Sequence, residues 1–148
     1  MRSSTIVRSP VSDRVFVDTN VLVYVHDADE PRKQALAAAR LAGLDPSSVV
    51  ISAQVLGEFF WVVTRRLRTP LAADAIDAAM DALRGLECVP IDAALVARAV
   101  GRTRSSQLAY WDALIVESAL AAGCMTLLTE DLSAGTRYDR LTVVDPFA

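Results

Sequence analysis

The feature that most constrains this chain is an alternation. Short runs that read as strands alternate with stretches of helical spacing from residue 15 onward, two such stretches after each of the first three runs. The runs are 15–17 (VFV), 49–51 (VVI), 87–89 (ECV), 126–128 (TLL) and 142–144 (TVV), each continuous enough to be covered on both faces. Helical patterns fall at about 20–25, 31–42, 53–68, 71–84, 92–104 and 106–122. Their punctuation agrees, with Pro31 and Pro70 near starts, Ser52 and Asp92 at N-cap positions, and Gly43, Gly85 and Gly123 just past ends. Strand and helix in alternation predict an α/β/α sandwich with a mostly parallel sheet of about five strands. In such sheets a ligand site lies beyond the carboxyl ends of the strands.

A chain of 148 residues, 53% apolar, is long enough to bury one core, so residues 1–148 read as one domain. Residues 1–13 are expected to form a flexible N-terminal extension. Cys88 and Cys124 lie in apolar surroundings and read as free core thiols in a reducing compartment rather than a disulfide. No apolar run is long enough to span a bilayer, and a cytoplasmic protein is expected. With 15 basic against 18 acidic residues the net charge is -3, so any polyanion must be held locally. The basic set is all arginine except Lys33, and His26 is the single histidine.

Against this apolar background, several acids stand out. Asp18 interrupts "VFVDTNVLVY" directly after the first run, at the expected carboxyl edge. It could cap the following helix or serve chemistry. Glu58 sits in "SAQVLGEFFWVVTRRL", a helix apolar nearly all round, which predicts that it points inward or into a cleft; an ion pair with Arg65 is the alternative. Asp112 in "YWDALIVESALAAG" shares an apolar face with Leu108, Ala109, Ile115, Val116 and Ala119, whereas Glu117 falls on the opposite side. Its place in the first turns also suits the helix dipole. "TLLTEDLSAG" puts Thr129, Glu130 and Asp131 just after the fourth run, in what could also be a solvated turn.

Asp18, Glu58, Asp112 and Asp131 thus come from two strand ends and two helices that can border one cleft. Two like charges about 4 Å apart repel by roughly 4 kcal/mol at an effective dielectric near 20. Either some of these acids are protonated or a cation joins them. Oxygen donors without histidine or thiolate select a hard ion, Mg²⁺ or Mn²⁺, able to assist phosphodiester hydrolysis.

The stretches "FVDTNVLVY", "SAQVLGEFF", "YWDALIVESA" and "LLTEDLSAG", in this order across nearly the whole chain, closely resemble the PIN-domain ribonucleases, especially the VapC-type toxins of bacterial toxin–antitoxin pairs. The resemblance implies a PIN-like fold and matches Asp18, Glu58, Asp112 and Asp131 to the family's catalytic, metal-binding acids. It matches Asn20 and Thr129 to polar residues that orient those acids or the attacking water, and favours Asp131 over Glu130 as the fourth acid. It further implies Mg²⁺- or Mn²⁺-dependent cleavage of single-stranded RNA by a homodimer, and a small VapB-like antitoxin that blocks the cleft.

Arg65, Arg66 and Arg68 end one helix and Arg98, Arg102 and Arg104 another, positions that the helix dipole favours without any ligand. Alternatively, arginines such as Arg65 and Arg66 hold RNA phosphates. Trp61, Tyr110 and Trp111 suit core or dimer packing, with base stacking as the alternative. "HDADE" reads as a helix start before Pro31, and His26 lacks the partners that catalysis needs. A phosphotransfer or receiver domain also places an aspartate after its first strand, but requires a late basic residue, usually lysine; Lys33 is early. A non-catalytic binding module would tend to lose acids, whereas a nuclease without toxin behaviour would share the same chemistry.

Overall fold

A computed structural model describes residues 14–148; the expected N-terminal extension, 1–13, lies outside the described residues. Six strands and six helices follow one another as β1 (Val15–Val17), α1 (Thr19–Tyr24), α2 (Pro31–Ala42), β2 (Val49–Ser52), α3 (Ala53–Arg65), α4 (Ala73–Arg84), β3 (Glu87–Val89), α5 (Ala93–Ser105), α6 (Tyr110–Ala121), β4 (Thr126–Leu128), β5 (Arg137–Tyr138) and β6 (Leu141–Val144). The sheet runs β3-β2-β1-β4-β6-β5, parallel throughout except for β5. That short edge strand, beyond the five runs legible in the sequence, pairs antiparallel with β6 across a turn in which Asp139 takes φ 55°.

From β1 the chain steps outward to β2 and β3, then crosses back to β4 on the other side of β1. Right-handed crossovers in opposite directions put α1–α4 on one face and α5 and α6 on the other. The order reverses between β1 and β4, where Val17 pairs with Leu128. Asp18 and Thr129 therefore emerge side by side at the reversal point, the preferred place for a ligand in an open α/β sheet.

Phe16, Val17, Val50, Ile51, Leu127 and Leu128 are completely buried, as strands covered on both faces must be. Ser52 accepts from the Val55 N–H at 3.3 Å and Asp92 from that of Leu95 at 2.8 Å, so both expected caps form. Helix α6 departs from its expected start at 106. Gln107 takes φ 54° and Ala109 is extended, so the helix begins at Tyr110, and Leu108 and Ala109 leave the face assigned to Asp112. Both sides of α6 are covered, because it lies between the sheet and α5; Glu117, on its far side, is buried as well.

Helix α3 buries only the stripe Val55, Phe59 and Val63. Phe60 and Trp61 on its outer side are each 49% exposed and Trp111 is 64% exposed, so of the core or dimer packing expected for the two tryptophans, the core role is not realised within one chain. Tyr110 does pack, against the Leu95–Leu114 cluster. His26 lies edge-on to Phe59 at 5.6 Å, and partial burial lowers its pKa, in keeping with a packing role. Cys88 and Cys124 are free thiols; burial pushes the Cys124 pKa up to about 12. Among the described residues no helix is long and apolar enough to cross a membrane.

Candidate metal-dependent site

Asp18 does both things its position allowed. It caps α1, Oδ1 accepting from the Thr19 N–H at 2.7 Å, while Oδ2 accepts from the Thr129 hydroxyl at 2.8 Å. At 5% exposure it has lost most of its hydration. Burial raises its pKa to about 7 despite those two bonds, with Asp131 and Glu58 adding repulsion.

Asn20 ties this aspartate to the turn after β4. Its Nδ2 lies 3.1 Å from Asp131 Oδ2, 3.1 Å from Thr129 Oγ1 and 3.4 Å from Asp18 Oδ2, more acceptors than two N–H groups can serve well. Thr129 is fully buried; it donates to Asp18 and accepts from the Asp131 backbone N–H at 3.1 Å. Glu130 turns away, toward Lys33 at 2.8 Å and the Tyr24 hydroxyl at 2.7 Å, so of the two neighbouring acids Asp131 faces Asp18.

Glu58 approaches from α3. Its Oε2 accepts from the Thr19 hydroxyl at 2.7 Å and its Oε1 from Gln54 Nε2 at 2.8 Å. Gln54 also reaches the Trp111 carbonyl at 3.3 Å, fastening α3 to the start of α6. The alternative partner, Arg65, instead places its guanidinium 4.8 Å over the Trp61 ring. Asp112 joins through charge alone: burial raises its pKa, and Asp131 and Glu58 raise it further. Thr19 and Gln54 were not picked out by sequence reasoning. Gln54 had a signal, since a residue four before Glu58 shares its helix face, whereas Thr19 had none.

A cleft of about 350 Å³ opens here, lined by Thr19, Asn20, Glu58 and Asp131 at one end and by Tyr24, Val62 and Leu67 farther out. It continues past Asp27 and Leu67 into a second groove bordered by Arg66 and Arg68. Among the described residues no basic side chain lies within ion-pair distance of Asp18, Glu58, Asp112 or Asp131, although other acids have such partners. Nor, as they stand, do any three acids, histidines or cysteines among those residues close on one point as a ready-made chelate. Asn20, Thr19, Thr129 and Gln54 engage the oxygens of Asp18, Glu58 and Asp131 instead. The donor chemistry fits a hard divalent ion: four carboxylates with hydroxyl and amide oxygens nearby, no thiolate or imidazole, and charge that no protein cation offsets.

The arginines of α5 are differently used. Arg102 bonds Glu117 and Asp139, each at 2.9 Å, and Arg98 stands 4.0 Å from Glu117, leaving Arg104 exposed.

The family model for the PIN domain matches residues 15–137. No curated protein matches the sequence significantly. Several solved structures share the architecture. A toxin–antitoxin complex from Klebsiella pneumoniae is 20% identical, with TM-score 0.66 over 89% of this chain and 97% of that one. Mycobacterium tuberculosis VapC20, described as a sarcin-ricin loop cleaving toxin, is 24% identical, with TM-score 0.60 over 76% and 86%. VapBC2 from Rickettsia felis, bound to a DNA fragment from its promoter, is 22% identical, with TM-score 0.55 over 88% and 96%. At these identities the likeness is one of fold.

Proposed function

The chain belongs to the PIN-domain family, and from that premise we propose that it is a divalent-metal-dependent endoribonuclease cleaving single-stranded RNA, the toxin of a type II toxin–antitoxin pair. The observation that carries the reading is four acids without cationic partners, of which Glu58 and Asp131 line the cleft and both raise the pKa values of Asp18 and Asp112. Asp18, Glu58, Asp112 and Asp131 would hold Mg²⁺ or Mn²⁺, which when bound supplies charge neutralisation at the phosphodiester and a more acidic water.

The protein's own share is orientation. Thr129 and the Thr19 N–H fix both oxygens of Asp18; Gln54 and the Thr19 hydroxyl fix both of Glu58. Asn20 stands between Asp18 and Asp131, where its amide can steady either acid or a water. Arg65 and Arg66 are proposed phosphate contacts that offset locally the repulsion expected from a net charge of -3. Hydrolysis in this arrangement would leave a 3′-hydroxyl and a 5′-phosphate.

The partners proposed with this activity are a second copy of the chain and a small VapB-like antitoxin. Unpaired acids, with the exposed Trp61 one turn along α3 from Glu58, suit a protein segment that brings a basic side chain and an apolar face. Sequencing RNA 5′ ends after brief expression tests the reading. New ends should gather at a few sites in cells expressing wild type and be missing with Asp18→Asn; identical end profiles from the two proteins would refute it.

A further inference from the structure

Glu130 is turned away from the cleft, yet both of its side-chain oxygens are engaged. Its Oε1 accepts from the Tyr24 hydroxyl at 2.7 Å and its Oε2 from Lys33 Nζ at 2.8 Å. Lys33 Nζ also stands 3.2 Å from the Tyr24 hydroxyl and 4.7 Å over the Tyr24 ring. Phe147 closes the far side, edge-on to Tyr24 at 5.0 Å and 5.5 Å from the ammonium. The single lysine of the chain is thus seated by α1, the C-terminal segment and one glutamate.

The backbone of Glu130 faces the other way. Its N–H donates to Asn20 Oδ1 at 3.3 Å, so the Asn20 amide turns its NH₂ toward Asp18, Thr129 and Asp131. The next residue is Asp131 itself. Side chain and backbone of one residue therefore link Lys33 on α2 to the Asn20 amide, which bridges Asp18 and Asp131, and to Asp131 itself.

We propose that Lys33 is a positioning residue of the candidate catalytic centre: its ion pair with Glu130 holds the Thr129–Asp131 turn so that the Asn20 amide and the Asp131 carboxylate face Asp18. The role in catalysis rests on the nuclease reading; the clamp itself does not. Because the pair is partly exposed, its removal should leave the fold intact. Removing groups that orient metal ligands typically costs about ten- to a hundredfold in affinity or activity.

The test uses the fact that Asn20 is the only asparagine in the chain, so selective ¹⁵N-asparagine labelling gives one side-chain amide signal pair. In metal-free Lys33→Met that pair should shift and exchange faster with water. Calorimetry should show Mn²⁺ binding weakened about ten- to a hundredfold, with kcat falling alike and KM for RNA little changed. Lys33→Arg should restore the amide signal, and Glu130→Gln should lose it in part, which covers the case that Lys33→Met does not fold. An Asn20 signal and Mn²⁺ affinity unchanged in a folded Lys33→Met protein would overturn the clamp. A wild type that cuts no RNA would overturn the nuclease reading instead, and the amide signal would still decide the clamp.

Discussion

Two buried acid sites in this molecule are built on opposite terms. Glu117, between α5 and α6, is 8% exposed and answered by Arg102, which also bonds Asp139 in the β5–β6 turn. Asp18, across the sheet edge, is 5% exposed and answered only by hydroxyl and N–H donors, with two further acids near enough to raise its pKa. The first site is a complete ion pair that ties the last strands to the helices. The second keeps negative charge in reserve, a cost in stability that a structural role does not require and a bound cation would relieve.

The largest effect should come from breaking the second site. Asp18→Asn is expected to lower RNA cleavage by purified protein more than about 100-fold, since it removes an acid proposed to hold the ion. At the same time metal-free Asp18→Asn should be the more stable protein at pH 8. The folded protein keeps the Asp18 proton up to about pH 7, whereas the unfolded chain releases it at the ordinary carboxylate value, 3.8. Between these values the native state binds the extra proton, so the Asp18 contribution to stability falls as pH rises and is flat above. Subtracting the variant's pH–stability curve from that of wild type isolates this term; a difference that grew with pH in favour of wild type would sink the assignment.

The paired site should respond with the opposite sign. Arg102→Met leaves Glu117 buried with only Arg98, at 4.0 Å, and is expected to destabilise by about 3 kcal/mol, read as a lower thermal midpoint. RNA cleavage per folded molecule should stay near wild type. If instead Arg102→Met abolished cleavage in folded protein, the two sites would not be independent.

How much of this contrast was legible in the sequence depends on what each feature rests on. The five main strands and the caps at Ser52 and Asp92 follow from apolar runs and capping residues, which are local patterns; the adjacency of Asp18 to Thr129 depends on strand order, in which β4 returns to the other side of β1. The edge strand Arg137–Tyr138 was not legible, because two residues carry no periodicity. Nor was the start of α6, set by the left-handed backbone at Gln107, a residue with no special liking for it. Glu117 was assigned to the opposite face of α6 correctly, but burial of that face depends on α5 packing there, which the spacing of α6 alone does not encode. Glu58 was read as inward because its helix is apolar all round; Phe60 and Trp61 are in fact exposed, and its place in the cleft comes from Thr19 and Gln54. Clusters built across elements stay hidden in one sequence, as the Lys33–Glu130 pair does, 97 residues apart.

The smallest expected effect concerns how a negative cleft meets a polyanion. Arg65 and Arg66 lie at the end of α3, Arg65 already stacked on Trp61, and Arg66 borders a groove shared with Asp27, Asp29 and Glu30. Those acids temper whatever the arginines offer, so the arginines should supply attraction rather than specificity. Each phosphate contact to a single strand contributes about 0.7 to the slope of log affinity against log salt concentration. The double variant Arg65→Gln, Arg66→Gln should therefore flatten that slope by about 1.4 and weaken RNA binding several-fold at low salt, leaving kcat for bound RNA unchanged. A slope identical to wild type would return both residues to the role the helix dipole alone explains, and the acids would have to recruit RNA by way of the metal ion instead.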